Sequence, residues 1–154
     1  MNNDFTSQAL STNAFMKAMK FTMKWEGGWA NDKADPGGET KYGISQKAYP
    51  ELDIKNLTRE QAMNLYFKDY WIAAGCDKML LPMAICVFDT AVNCGVGRAK
   101  SWLEEYPNTK AYLANRINYY ARLVQRNPRL QRFYKGWINR VVDLRKYIEI
   151  ISLP

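Results

Sequence analysis

Two stretches of helical hydrophobic periodicity in the first half of the chain flank a polar, glycine-rich segment. The first stretch follows Ser11 or Thr12, either of which can cap a helix, and it runs to Glu26, where two glycines end it. Its predicted inward positions are Phe15, Ala18, Met19 and Thr22. The second stretch begins with a capping box that Thr58 opens, and it predicts a helix over about residues 59–73.

The segment between these helices, residues 27–43, has the composition of an irregular loop or a short hairpin. The run Asp35-Pro36-Gly37-Gly38 is typical of a turn, and Tyr42 and Ile44 suit a brief extended piece. This is the only part of the chain in which the pattern indicates strand.

The second half of the chain has helical periodicity almost throughout. Pro82 suits the first turn of a third helix, residues 99–105 predict a short one, and Asn108 can cap the next. The last helix carries an apolar stripe that consists of Leu130, Phe133, Tyr134, Trp137, Ile138, Val141, Leu144 and Ile148. Helices joined by short loops, with at most a small β element near residues 27–45, predict a mainly α (α+β) fold in a single domain over residues 1–154.

Composition narrows the chemistry that such a domain can perform. The chain has 154 residues, 47% of them hydrophobic, and no histidine, which argues against histidine-dependent triads and most catalytic zinc sites. We therefore expect no cofactor and no metal, and carboxylates remain the main catalytic option. The three cysteines, Cys76, Cys86 and Cys94, are expected to be reduced packing residues.

The positive charge is concentrated in the C-terminal part of the chain. Lysine plus arginine number 22 against 15 acidic residues, for a net charge of +7. The basic residues from position 110 to 146, against the one acid Asp143, are Lys110, Arg116, Arg122, Arg126, Arg129, Arg132, Lys135, Arg140, Arg145 and Lys146. Nucleic acid, acidic lipid and an anionic cell-wall polymer all suit such a surface, and so does a solvated helix face that only keeps the protein soluble.

Glu26 is the first candidate for catalysis. It lies between Trp25 and Trp29, next to two glycines, at the predicted end of a helix. Desolvation against apolar rings favours the protonated carboxyl group, which is the form that a general acid needs near neutral pH. A carboxylate beside the negative end of a helix dipole is also electrostatically unfavourable, and this cost is tolerated where the carboxylate has a function.

Cleavage of a glycosidic bond usually needs a second carboxylate, which acts as base or nucleophile. Asp35 is the preferred candidate, Asp32 is the alternative, and Thr40 can orient a water from the same loop. Either aspartate can instead be a turn residue of purely architectural role. Trp29 and Tyr42 can stack on sugar rings or simply pack.

The run from Glu26-Gly27-Gly28-Trp29 through Asp35-Pro36-Gly37-Gly38 to Gly43-Ile44 closely resembles the signature of glycoside hydrolase family 108. The segments Phe88 to Gly95 and Gly136 to Val141 resemble the peptidoglycan-binding half that accompanies this signature. The resemblance implies a lysozyme-like helical fold, with residues 1–75 as the catalytic half and residues 76–154 as the helical half.

The resemblance also implies a function. The family's bacteriophage endolysins are N-acetylmuramidases that cleave the β-1,4 bond between N-acetylmuramic acid and N-acetylglucosamine, and Glu26 matches their catalytic glutamate. Phage lysozymes more broadly place an aspartate after eight residues and a threonine after five more; Asp35 fits the first spacing, whereas Thr40 follows Asp35 after four. Asn93 is a candidate substrate contact in the second half, although it can instead be a hydrogen-bonded core residue.

The resemblance further predicts where the protein works and with what. We expect synthesis in the host cytoplasm without a signal peptide, release through a holin-type pore and action on the periplasmic cell wall. The expected partners are peptidoglycan glycan strands and outer-membrane lipopolysaccharide, the latter through the basic C-terminal helices, while nucleic acid is not expected and a monomer is. The alternatives are a lytic transglycosylase and a non-catalytic peptidoglycan-binding or secretion-assisting module.

Overall fold

The computed structural model describes residues 13–27, 31–35 and 38–154, and for residues 31–35 and 38–40 it describes the backbone alone. The chain separates into two compact units, Met1–Ala73 and Ala74–Pro154. The predicted domain organisation stays a prediction. Among the described residues, no helix has the length and apolar character that crossing a membrane requires.

The first unit contains helices, short helical turns and a small sheet. Its described elements are α1 (Asn13–Trp25), β1 (Asn31–Asp35), β2 (Gly38–Lys41), β3 (Ile44–Ser45), a 3-10 turn (Ile54–Asn56), α2 (Arg59–Tyr66) and a π-helical turn (Phe67–Ile72) that continues α2. The inward positions predicted for α1 are all buried. Phe15 packs edge-on against Phe67 and Trp71, with ring centroids 5.1 and 5.7 Å apart, so that α1 and the π-helical turn form the core of this unit.

The sheet is antiparallel, with strand order β1-β2-β3. The backbone register pairs Asp32 with Thr40 and Thr40 with Ser45, and an irregularity separates the Asp32 pair from the pair of Asp35 with Gly38. The predicted short hairpin is therefore present within residues 31–45. Helix α2 begins with the predicted capping box, in which Thr58 accepts from the Gln61 backbone N–H.

The second unit is entirely helical. Its elements are a 3-10 turn (Cys76–Lys78), α3 (Leu81–Cys94), α4 (Val96–Glu105), α5 (Thr109–Arg126), a second 3-10 turn (Pro128–Leu130) and α6 (Gln131–Ile151). Pro82 lies in the first turn of α3, and the Asn108 side chain caps α5 by accepting from the Ala111 N–H at 2.9 Å, both as predicted. The fold class is mainly α with a small sheet, which confirms the prediction from the pattern.

Helix α3 is buried along most of its length, and its one acid lies in the core. Asp89 is fully buried, accepts from the Arg116 Nη1 and Arg140 Nη2 atoms at 2.8 Å each, and lies on the helix that contacts both α5 and α6. Burial alone would raise the pKa of Asp89, but the two guanidinium groups hold it below its usual value. A buried carboxylate needs such partners, because an unpaired one would carry its full desolvation cost.

This network corrects one sequence-based interpretation. Arg116 and Arg140 belong to the predicted basic surface, yet they are buried and neutralise Asp89 instead. In the apolar stripe of the last helix, Val141, Leu144 and Ile148 are buried, whereas Phe133 is 44% exposed. The three cysteines are buried and free, as predicted.

Candidate active site

Glu26 directly follows the last residue of α1. Its backbone N–H donates to the Thr22 carbonyl at 3.0 Å, and the side chain is half-buried. Gly27 then takes a φ of +91°, a left-handed conformation that glycine adopts without steric cost and that ends many helices. The sequence Glu-Gly at a helix end therefore fixes where the carboxylate leaves the helix.

Gly43 lies against Glu26. A β-carbon built on Gly43 would stand 3.7 Å from the Glu26 Cβ atom and 2.5 Å from the Tyr66 hydroxyl oxygen. A side chain at this position would therefore displace the Tyr66 hydroxyl. Glycine at position 43 lets the tip of the second hairpin approach both residues.

Tyr42 and Gly43 form the two-residue turn between β2 and β3. Both have positive φ, +54° and +77°, the combination that a type I′ hairpin turn requires. The Tyr66 hydroxyl donates to the Tyr42 carbonyl at 3.1 Å, and the Lys41 ammonium lies 5.5 Å from the centre of the Tyr42 ring. A bond from α2 thus holds the turn beside Glu26.

A second group of polar side chains comes from the π-helical turn that continues α2. The Tyr49 hydroxyl donates to Asp69 Oδ2 at 2.8 Å, and the Tyr70 ring lies 5.7 Å from the Tyr66 ring. Burial raises the pKa of Tyr70; a hydrogen bond with Tyr49 opposes this shift, and the negative charges of Asp69 and Glu26 add to it. The Tyr70 hydroxyl therefore stays protonated through neutral pH, within reach of the Glu26 charge.

Burial also raises the pKa of Tyr49, and the bond to Asp69 raises it further. Tyr49, Asp69 and Tyr70 thus form one polar group, and Tyr70 is the member of this group whose pKa the charge of Glu26 affects. π-Helical turns inside helices are frequent at functional sites, because the extra residue changes which side chains share a face. Here the turn supplies Asp69 and Tyr70.

The structure describes some of the predicted site residues with their side chains, some by their backbone alone, and one not at all. It places Tyr42 in the turn that lies against Glu26 through Gly43, and it places the backbones of Asp32, Asp35 and Thr40 in the adjoining hairpin. The side chains of these three residues lie outside the described part. Trp29 lies outside the described residues altogether.

Asn93 lies near the end of α3 in the second unit and is half-buried. Its Oδ1 atom accepts from the Tyr120 hydroxyl and from Cys94 Sγ, the latter at 3.2 Å. Tyr120 in turn accepts from Arg116 Nε at 2.8 Å, so Asn93 is connected to the buried ion-pair network.

The sequence does not point to Tyr66 or Tyr70 as neighbours of Glu26, or to Asp69 as a partner of Tyr49. The pattern predicts one continuous helix for all three residues, and these contacts join positions that are far apart in the chain. The available signal is the spacing: hydroxyl and carboxylate side chains at i, i+3 and i+4 lie on one helix face that would otherwise be apolar.

Among the described residues, no cluster of cysteine, aspartate and glutamate side chains could hold a metal ion. The chemistry that these residues can supply is proton transfer by a carboxyl group, with phenol hydroxyls as hydrogen-bond donors.

Comparisons with known proteins assign both halves of the chain. Residues 19–95 match the family model described as Glycosyl hydrolase 108, and residues 91–142 match the model described as Predicted Peptidoglycan domain. A comparison with curated proteins found no match. A comparison with solved structures found none either.

Proposed function

The chain belongs to glycosyl hydrolase family 108 and is a glycoside hydrolase that acts on peptidoglycan; from this premise we propose that it is an N-acetylmuramidase with Glu26 as its general acid. The bond it cleaves is the β-1,4 link from N-acetylmuramic acid to N-acetylglucosamine. One water is consumed for each bond, and N-acetylmuramic acid becomes the new reducing end.

The position of Glu26 is the observation that carries this proposal. The residue lies inside the segment that matches the hydrolase family, half-buried at a helix end, against the Gly43 backbone and near the Tyr66 and Tyr70 hydroxyls. A general acid needs this combination of partial desolvation and fixed placement. Glu26 donates its proton to the leaving oxygen and becomes a carboxylate as the bond breaks.

The second carboxylate comes from the hairpin. Asp35 acts as base or nucleophile, and Thr40 orients the attacking water. The backbone register, in which Thr40 pairs with Asp32, keeps Asp32 as the alternative partner. Trp29 and Tyr42 contact the sugar rings, and Asn93 contacts substrate in the second unit.

The biological setting that we propose is phage-induced lysis. The protein is released from the host cytoplasm through a holin-type pore, works as a monomer on the periplasmic wall, and uses its exposed basic side chains to approach anionic lipopolysaccharide. Because Arg116 and Arg140 are buried, the proposed lipopolysaccharide-binding surface consists of the other basic residues.

Mass spectrometry of peptidoglycan fragments tests the proposed reaction. Purified peptidoglycan is digested with the wild type, the products are reduced with borohydride, and the ends are identified. Reduced N-acetylmuramic acid ends support a muramidase. Anhydro ends, which borohydride leaves unreduced and which are lighter by one water than an unreduced N-acetylmuramic acid end, indicate a lytic transglycosylase. Intact glycan indicates a binding module. Asp32→Asn and Asp35→Asn, assayed in parallel, identify the second carboxylate by the larger loss of kcat.

A further inference from the structure

Five aromatic rings in the second unit form one continuous row, which we call the aromatic row. Its members in order of contact are Trp102, Tyr119, Tyr120, Trp137 and Phe133. Successive ring centroids lie 5.0 to 5.9 Å apart. Tyr120 is buried in the middle of the row, whereas the other rings are partly exposed. Half-buried rings that contact one another give a rigid, extended apolar surface.

An arginine lies over a ring near each end of the row. The Arg98 guanidinium is 5.2 Å from the centre of the Tyr119 ring, and the Arg132 guanidinium is 4.7 Å from the centre of the Phe133 ring. Both arginines are exposed, and among the described residues neither forms an ion pair. Arg98 Nη1 donates to the Cys94 carbonyl at 3.1 Å. The remaining N–H groups of a guanidinium stacked on a ring can still donate to a carboxylate.

Buried hydrogen bonds hold Tyr120, the middle ring of the aromatic row, in place. The Tyr120 hydroxyl accepts from Arg116 Nε at 2.8 Å and donates to the Asn93 carboxamide oxygen. Arg116 is itself paired with the buried Asp89. The rings on either side of Tyr120 are thus set on a rigid base, and little side-chain entropy remains to be lost on binding.

We infer that the aromatic row, with Arg98 and Arg132, is the surface that binds peptidoglycan, and that it takes glycan strands bearing carboxylates on their stem peptides. The inference rests on the proposed function and assigns a surface to it. Every residue of the row lies within residues 91–142, the segment that matches the peptidoglycan model. The C–H faces of pyranose rings pack on the exposed aromatic surface, and the two guanidinium groups pair with stem-peptide carboxylates.

The chemistry of the row selects this partner over others. Tryptophan, tyrosine and arginine are the residues that dominate binding energy at interfaces, and here they lie together. An uncharged polymer of N-acetylglucosamine would meet the rings but leave both arginines without anions. The row therefore distinguishes peptidoglycan from chitin by charge.

The test measures binding of the full chain to insoluble peptidoglycan sacculi, with chitin beads as the uncharged comparison. All proteins carry Glu26→Gln, so that the ligand stays intact, and Kd is taken from depletion of the supernatant. The row variants are Phe133→Ala, Phe133→Leu and the pair Arg98→Gln with Arg132→Gln.

The aromatic variants have a control on the same helix. Val142 is 44% exposed, as Phe133 is, and its place nine residues further along α6 puts it on the opposite side, so Val142→Ala removes exposed apolar surface away from the row. The pair Lys110→Gln with Lys146→Gln removes the same charge from exposed positions outside the row. Thermal unfolding of every variant verifies that the second unit is folded.

We expect Phe133→Ala, Phe133→Leu and the arginine pair each to raise the Kd for sacculi about tenfold, which corresponds to about 1.4 kcal/mol, while both controls stay within about twofold. The parent binds chitin more weakly than sacculi, and the arginine pair abolishes that preference. Unchanged Kd in folded row variants would overturn the inference, as would equal binding of the parent to chitin and sacculi. If binding depends on the row while the protein with Glu26 intact releases no reducing ends from the same sacculi, the result would support this surface and overturn the proposed hydrolysis instead.

Discussion

The Tyr66 hydroxyl donates a hydrogen bond to the carbonyl oxygen of Tyr42 at 3.1 Å, and this bond joins α2 to the turn that lies against Glu26. Tyr42 has a φ of +54°, a conformation that costs a non-glycine residue about 1–3 kcal/mol. Strain of this kind persists only where the surrounding contacts enforce it. Tyr66 is thus a positioning residue for the turn and, through Gly43, for Glu26.

Removal of this hydroxyl tests the positioning role. Tyr66→Phe loses the bond to Tyr42, and we expect it to lower the free energy of unfolding by about 1 kcal/mol and kcat by about tenfold or more. Tyr112→Phe is the matched control, because it removes a comparable bond from a tyrosine hydroxyl to the Ala99 carbonyl in the second unit. It should cost similar stability and leave kcat unchanged. Equal kcat in both variants would show that Tyr66 is merely structural.

Gly43 offers a second test with an internal control. Gly43→Ala strains a φ of +77° and places a methyl group 2.5 Å from the Tyr66 hydroxyl oxygen. Gly75→Ala strains a φ of +78° with no atom within 4 Å. Both should lose about 1–2 kcal/mol of stability from the backbone alone. Only Gly43→Ala should lose peptidoglycan hydrolysis, measured as released reducing ends; a matching loss in Gly75→Ala would refute the role of close approach.

The local elements of this fold could be predicted because their signals are local. The inward positions of α1, the capping box at Thr58, Pro82 in the first turn of α3 and the Asn108 cap each follow from residues within one or two turns. The position of Glu26 at a helix end follows from the glycines after it. These predictions needed no knowledge of tertiary contacts.

The remaining features depend on contacts between distant segments. Arg116 and Arg140 share a sequence pattern with exposed basic residues, and only the packing of α3 against α5 and α6 shows that both pair with Asp89. The approach of Tyr66 to Gly43 is likewise a tertiary contact. The π-helical turn could not be predicted from periodicity because it covers only Phe67–Ile72, a stretch too short to show a change of period.

The Asp89 network predicts a specific pH dependence of stability. Asp89→Asn leaves two buried guanidinium groups without a full countercharge, and we expect a loss of about 3–5 kcal/mol at pH 7, measured by urea unfolding. The pKa of Asp89 is lower in the folded than in the unfolded protein, so its contribution is fully present above about pH 5. That contribution is lost as pH falls below about 4.

The difference in unfolding free energy between wild type and Asp89→Asn should therefore be constant from about pH 5 to 7 and shrink between about pH 4 and 2. Arg145→Gln is the control, because its partner Glu149 forms an exposed pair at 3.7 Å that contributes little. A difference between wild type and Asp89→Asn that grows on acidification would contradict the assignment.

The three thiols should be inert in the native protein. Burial raises the pKa of Cys86 to about 12 and raises those of Cys76 and Cys94 as well, so that few thiolates exist at pH 8. Because the thiolate is the reacting form, an aromatic disulfide reagent should modify these residues only as the protein unfolds. Three equivalents should then react in guanidinium chloride. Rapid modification of native protein would contradict the burial of these side chains.

The central claim is that Glu26 is the general acid of a muramidase, and digestion of purified peptidoglycan by Glu26→Gln beside Glu51→Gln tests it most directly. Glu51 is an exposed glutamate of the same unit, so its substitution controls for the loss of one charge. We predict that Glu51→Gln releases reduced N-acetylmuramic acid ends at the wild-type rate, and that a folded Glu26→Gln variant releases at least about a thousandfold fewer. Equal release by both variants would contradict the account.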